Sequence, residues 1–462
     1  MEANTIFVQI ASYRDPELIN TLNGLITYAE KPENLHICVC WQHGPEDTTD
    51  IFLNSDFYIY NFDEIEDDDG VKSTVMNMTK NGAKLSVIDF DYNETEGACW
   101  ARYQIQKRYS GERYTLQLDS HHRFVPNWDE ICIDMLESVR SEDTPKPLLT
   151  GYIPSFDPDN DPSARVQIPW KMDFDRFIPE GAVFFRPSSI DNYKELTKPM
   201  CSRFYSAHFC FVDGDFTEKV PHDPDYFFHG EEISIAVRAF THGYDLFHPH
   251  KVVAWHEYTR KGRTKVWDDH TTTSKNDGNI KLDWVERNNL CHKRNRILFG
   301  MDGEDPAQID FGKFGFGDVR TVREYEEYAG ISFEYRGVQQ PTLDRKDPPN
   351  NIPYDNEKQW KVLFARSNDV HICLHKNELI ESGEELLDDY DFFYVGTHDE
   401  NGDEIHRKDI TKDEIYQYIN SDNGFVDYRL IFLSTKRPTH YTVWVHSESK
   451  EWMKKITKPI DY

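Results

Sequence analysis

Two apolar runs near the start of the chain, TIFVQIA (residues 5–11) and LHICVCW (35–41), constrain the fold more than any other feature. Neither alternates cleanly between polar and apolar residues, so both read as strands of a sheet covered on its two faces. Between them Ile19, Leu22, Ile26 and Ala29 recur at helical spacing, with Asp15 placed to cap a helix whose first position is Pro16. Strand, helix and strand in this order make a βαβ unit, which calls for a parallel sheet.

The pattern continues with AKLSVIDF (83–90), a helix from Gly97 to Tyr109, the strand RYTLQLD (113–119) and a helix bearing Trp128, Cys132, Met135, Leu136 and Val139. Asp119 thereby falls at the carboxyl end of an inner strand, where open α/β sheets collect their ligands. Residues 157–181 read as a loop-rich surface on the acceptor side. A later helix, GEEISIAVRAFTHG (230–243), carries Ile233, Ala236, Val237 and Phe240 on one face and a glycine stop at Gly243. The proline-rich and polar stretch 337–355 reads as a linker between a first domain, 1–336, and a last one, 356–462. In that last domain the runs QWKVLFAR, VHICLHK, DFFYVGT, YRLIFLS and HYTVWVHS predict a small antiparallel β-domain of sandwich type.

Charge narrows the function. A formal net charge of -30 disfavours nucleic acid and anionic membrane surfaces, so any bound phosphate must be held by local positive charge or by a metal. No run approaches the roughly 18 apolar residues of a membrane span, and the first residues show no basic leader, which sets a cytoplasmic expectation. The eight cysteines, Cys38 and Cys40 among them, sit among apolar neighbours without a CxxC pair and read as reduced core residues.

In LQLDSHHRF (116–124), Asp119 and His121 offer a hard oxygen and an imidazole nitrogen at a strand end, a mixed pair that suits manganese, magnesium or zinc. The same spacing recurs at Asp268 and His270, so spacing alone does not select the site. His256 adds weight because it follows the apolar VVAW and precedes EYTRKGRTK, a basic stretch in a very acidic chain. His248 and His250 compete as ligands, although Pro249 between them favours a turn. Glu231 and Glu232 open a helix, where acids also serve the helix dipole. Arg102 lies in a helix just after an acidic loop.

Taken together, these residues resemble the nucleotide-sugar glycosyltransferases of the GT-A fold. The pattern is most similar to the cytosolic polypeptide α-N-acetylglucosaminyltransferases that modify hydroxyproline on an E3-ligase adaptor, and more distantly to polypeptide N-acetylgalactosaminyltransferases. The likeness spans about residues 5 to 335, and implies an α/β GT-A domain followed by an unrelated β-domain. It makes Asp119 and His121 the D-x-H metal ligands and His256 the third. GEEISIAVR aligns with the galactosaminyl relatives through Gly230, Glu231, Ile235 and Arg238, while Glu232 replaces an asparagine; which glutamate meets sugar or acceptor stays open. IASYRD matches the strand end that cradles uridine, which implies donor contacts from Ala11, Ser12, Tyr13 and Arg14, with Arg102 and Ser120 also at the nucleotide.

The activity implied is transfer of N-acetylglucosamine from UDP-N-acetylglucosamine to a hydroxyl on a protein or a glycan, with retention, assisted by Mn2+ or Mg2+. Lys261, Arg263 and Lys265 would add cationic contacts from a loop that closes over the donor. Another UDP-sugar is the nearest alternative. A metal-dependent hydrolase, which predicts tight zinc, and a catalytically silent carbohydrate-binding protein are the rivals of other classes.

Overall fold

The computed structural model describes residues 4–381, 389–414 and 425–460. It divides into two compact units, Met1–Glu334 with Pro341–Asn351, and Tyr335–Gln340 with Ile352–Tyr462. The first is built on a ten-stranded sheet in the order Met200–Cys201, Asp245–His248, Pro147–Thr150, Phe209–Asp213, Tyr114–Asp119, Ile6–Tyr13, Leu35–His43, Ala83–Asp91, Lys72–Lys80 and Tyr58–Glu66. Its centre is parallel: Ile6–Tyr13 pairs with Leu35–His43 on one side and Tyr114–Asp119 on the other, and Leu35–His43 with Ala83–Asp91.

The continuous apolar runs have the cause their pattern suggested. Val8, Ile10, Ile37, Val39, Leu116 and Leu118 face a core shared with Leu22, Leu25 and Ile26 of helix Leu18–Thr27 and with Trp128, Cys132 and Leu136 of helix Trp128–Val139. Their alternates Phe7, Cys38, Cys40 and Ile88 face Trp100, Ala101 and Ile105 of helix Ala98–Gln106. Each Leu or Ile taken fully from water on either face contributes roughly 1.5–3 kcal/mol.

Several particulars differ from the sequence reading. Asp15 does not cap the first helix: Glu17 holds the cap position, and Asp15 Oδ1 instead accepts the Glu17 amide at 2.9 Å in the turn before it. The hairpin Tyr58–Glu66 and Lys72–Lys80 extends the sheet antiparallel at its edge, where the mostly exposed first strand lacks the apolar spacing of a buried one. Within 337–355, expected as a linker, lie a strand, Gly337–Gln339, and a short helix, Gln340–Leu343. QWKVLFAR is helical over Glu357–Val362 before its strand begins at Phe364. All eight cysteines are free, but Cys201 and Cys373 are exposed rather than core residues.

In the second unit Gly337–Gln339, Phe364–His375 and Phe425–Ser434 pair antiparallel, as do Glu404–Thr411, Tyr390–His398, His440–Ser447 and Glu451–Pro459. The two sets enclose one core, with Val370, Ile372, Leu374 and Leu430 on one side and Phe393, Val395, Val443 and Val445 on the other. This is the antiparallel β-domain the period-2 runs predicted. Among the described residues no helix is long and apolar enough to cross a membrane.

Candidate active site

Because the central strands run parallel, Tyr13, His43, Asp91 and Asp119 all end at one edge of the sheet. After Asp119 the chain turns through Ser120 and His121, and Thr21 of the first helix braces that turn: its Oγ1 donates to the Ser120 carbonyl at 2.8 Å and accepts from the His122 amide at 2.9 Å. His122–Phe124 then pairs antiparallel with Ala254–His256, placing His256 opposite His122. This short ribbon carries His256 across 137 positions of sequence to within 3.4 Å of Asp119 Oδ2 (Nε2). The His121 ring stands 4.7 Å from that of His256, and its Nε2 is 3.7 Å from the same oxygen.

One carboxylate oxygen and two imidazole nitrogens thus lie within 4.8 Å of one another. The donor set fits a divalent ion of the manganese, magnesium or zinc type, and His256 Nδ1, buried, has no hydrogen-bond partner among the described residues. Asp15 stands behind the set. Its Oδ2 lies 2.7 Å from His121 Nδ1 and accepts from Ser120 Oγ at 2.7 Å. A proton on Nδ1 shared with Asp15 makes Nε2 the acceptor nitrogen, which Arg263 Nη1 meets at 2.7 Å in this structure.

Burial works against an ionised Asp119, yet the His256 hydrogen bond and the Arg102 charge hold its carboxyl well below the usual range. Arg102 is 4% exposed and bridges two acids, with Nη2 2.7 Å from Asp119 Oδ1 and Nη1 2.5 Å from Glu231 Oε1. Burial drives His256 and the neighbouring His208 well below 6.5, so both rings are neutral at physiological pH.

The two glutamates are separated by their surroundings. Helix Glu231–Thr241 starts from Gly230, whose φ of 94° is a left-handed value that favours glycine, and its first two residues diverge. Glu231 is buried between Arg102 and His222; against the effect of burial, these hold its carboxyl down at about 2. Glu232 turns to the cleft, where Tyr152 Oη donates to it at 3.1 Å and the Ala207 amide at 3.0 Å. Burial, reinforced by the charge of Glu231, pushes Glu232 up to about 8.

These groups line a cleft of about 620 Å³, the size of a cofactor or nucleotide-sugar site. Ala11, Tyr13, Arg102, Asp119, Ser120, His121, Glu231, Glu232, His256, Arg263 and Lys265 all reach it. Three expected donor contacts do not. Ser12 is buried beneath the strand end, Arg14 is engaged with Asp269 at 2.9 Å and Glu46 at 2.6 Å, and Lys261 points to solvent, 75% exposed and 2.5 Å from Asp159. The rival ligands also fall elsewhere: His248 hydrogen-bonds the Thr150 carbonyl, Asp268 accepts the Lys265 amide at 2.9 Å, and His270 meets the Tyr92 carbonyl.

The sequence reading missed Asp15, Tyr152, His208, Tyr258 and Arg260, which line the cleft as well. Asp15 had a signal, because it lies just past the end of the first parallel strand, at the edge where Asp119 ends the fourth. The others come from loops without a spacing to read. Arg263 links the basic loop to the ligands: Nη2 lies 2.8 Å from Glu257 Oε2, and Nη1 2.7 Å from His121 Nε2 and 3.5 Å from Asp15 Oδ2.

A mixed sheet whose parallel centre gathers Asp119, His121, His256 and a basic loop at its carboxyl edge has the architecture of a GT-A glycosyltransferase. The chain belongs to the family described as glycosyltransferase (GlcNAc), whose model matches residues 5–335. No curated protein matches it. Solved structures that do match include GalNAc-T7 with UDP, GalNAc and Mn2+, at 13% identity and a TM-score of 0.38, covering 70% of this chain and 54% of that one. Others are a mannosyltransferase of Pyrobaculum calidifontis with GDP-Man and Mn2+ (11%, TM-score 0.34, 56% and 58%) and TarS of S. aureus (10%, TM-score 0.33, 98% and 77%). The chain thus spans little more than half the length of the first two, and its family membership rests on the sequence model.

Proposed function

We propose that the protein transfers N-acetylglucosamine from UDP-N-acetylglucosamine to a hydroxyl of a protein acceptor, hydroxyproline being the residue the family resemblance suggests, in the cytoplasm and with retention at the anomeric carbon. The observation that carries this reading is the convergence of Asp119, His121 and His256 at the sheet edge, beside Arg260, Arg263 and Lys265 in a chain of net charge -30. Asp119, His121 and His256 would hold Mn2+ or Mg2+, which would supply Lewis-acid stabilisation of the departing diphosphate.

The chain's own residues divide the remaining work. Arg102 keeps Asp119 ionised, and Asp15 orients His121. Arg263 and Lys265 face the cleft as cations for the phosphates, and Ala11 and Tyr13 form the floor for the base. Phe184, Phe228 and Trp267 line the remaining wall and exclude water. Glu231 is a positioning residue, 4% exposed, with its Oε1 held by Arg102 Nη1 at 2.5 Å and His222 Nδ1 at 2.9 Å. Glu232 keeps its proton to about pH 8 and is assigned to a hydroxyl of sugar or acceptor. Neither glutamate is a free anionic nucleophile at neutral pH, which favours a front-face transfer guided by the leaving phosphate over a covalent glycosyl-enzyme.

The test is UDP release from UDP-N-acetylglucosamine without acceptor, in Mn2+ and in chelator, for the native chain and Asp119→Ala, with UDP-galactose and UDP-glucose alongside. Manganese-dependent release that prefers the N-acetylglucosamine donor and disappears in the variant is the expected result. Failure of the native chain to bind any UDP-sugar would overturn the reading.

A further inference from the structure

The outer face of one sheet in the second unit carries a grid of aromatic rings that the transfer reaction does not use. Strand register sets Tyr394 opposite Trp444 and Trp444 opposite Lys455 in one row, and Phe392 opposite His446 and His446 opposite Trp452 in the next. The intervening Phe393, Val395, Val443 and Val445 fill the core, so the period of two sends the ring residues outward. Trp452 is 39% exposed, and the other four rings are half-buried.

The rings are held in place. Those of Trp444 and Trp452 lie 4.3 Å apart, and Phe392 stacks on His446 at 5.2 Å. Trp444 Nε1 donates to the Met453 carbonyl at 2.7 Å, and His446 Nδ1 lies 2.8 Å from Asp391. Tyr394 Oη donates to Glu404 at 2.5 Å; a Cβ at residue 396 would come within 2.1 Å of that oxygen, so glycine lets the phenol cross the sheet there.

Charge on this face is of both signs, two cations among three carboxylates. Arg407 pairs with Asp409 at 2.7 Å and packs over the Tyr394 ring, Lys455 sits 5.3 Å over Trp444, and Asp391 and Glu404 hold His446 and Tyr394. Fixed rings interleaved with paired ionic groups break up any continuous apolar patch of the kind a protein partner buries. They complement a ligand that is uncharged, with flat apolar faces and hydroxyls around its edge. We propose that this face binds a neutral oligosaccharide, whose pyranose rings lie on Trp452 and Trp444 while its hydroxyls meet the ionic rim.

Tryptophan fluorescence and saturation-transfer NMR on the full chain, with cellotetraose and chitotetraose as neutral probes and a sulfated oligosaccharide as the charged control, test this. Saturable binding of a neutral probe, weakened about tenfold or more in Trp452→Ala and largely retained in Trp452→Phe, is expected. Release of UDP from the donor should stay at the native rate in both variants, which separates this site from the donor cleft. The proposal is overturned if neither tetrasaccharide binds, if Trp452→Ala binds as tightly as the native chain, or if the sulfated control is preferred. Concentration-dependent dimerisation of the native chain that Trp452→Ala abolishes would likewise assign the face to a second copy.

Discussion

Asp15 and Glu232 are the residues whose chemistry depends most on neighbours distant in sequence. Asp15→Asn removes the carboxylate that shares the His121 proton, so the ring loses its preferred tautomer. Mn2+ affinity, read by titration of the full chain, should fall about 10- to 100-fold. Glu232 makes a pH prediction of definite sign. The folded chain holds its proton to about pH 8, whereas an unfolded glutamate releases it near 4.5. Between those values the folded state binds more protons, and this group's contribution to stability declines as pH rises. Glu232→Gln should therefore raise the melting temperature at pH 8 more than at pH 5. The native rate of donor cleavage should decline as pH rises through about 8, and the variant should lack that limb. An identical pH slope in both proteins would contradict the assignment. Asp119 and His121 were legible because they sit together at a predicted strand end. Glu232 was visible as a residue, but its difference from Glu231 was not, since Arg102, His222 and Tyr152 reach the pair from three other segments.

Helix Glu231–Thr241 depends on its first residue more than on its propensity. Gly230 combines a φ of 94° with close packing, because an added Cβ would stand 3.0 Å from Asn295 Oδ1. Gly230→Ala should cost about 1–3 kcal/mol from the backbone strain alone and shift Glu231 off Arg102. Thermal unfolding and UDP release should fall together, and a native-like melt with native turnover would show that the helix start tolerates a side chain. The ribbon formed by His122–Phe124 and Ala254–His256 belongs to the same scale. Strands of three residues carry too little alternation to be read from sequence, yet this pairing brings the third ligand to the other two.

The chain passes between its two units more than once. Residues Pro341–Asn351 belong to the first unit, although Tyr335–Gln340 just before them belong to the second. They matter to Arg203, 6% exposed, whose guanidinium donates to the Ala329 carbonyl at 3.0 Å, the Lys346 carbonyl at 2.5 Å and Asn350 Oδ1 at 2.6 Å. Ending the chain at residue 336 strips two of these three acceptors from a buried cation, at about 1–3 kcal/mol for each unsatisfied group. A version ending at 351 should melt higher than one ending at 336, and equal melting temperatures would remove Arg203 from the account.

The sequence by itself determined the parallel centre of the sheet, the antiparallel β-domain, and the candidacy of Asp119, His121 and His256. Each is written in local pattern: unbroken apolar runs for a sheet covered twice, alternation for one covered once, and polar ligand types at a strand end. The tertiary structure alone decided that Asp15 supports His121 rather than capping a helix, that Arg14 and Lys261 lie outside the cleft, and that one of two adjacent glutamates is clamped while the other keeps a proton. Those outcomes depend on which distant groups approach a side chain and how much water they exclude. Neither is a property of spacing along the chain.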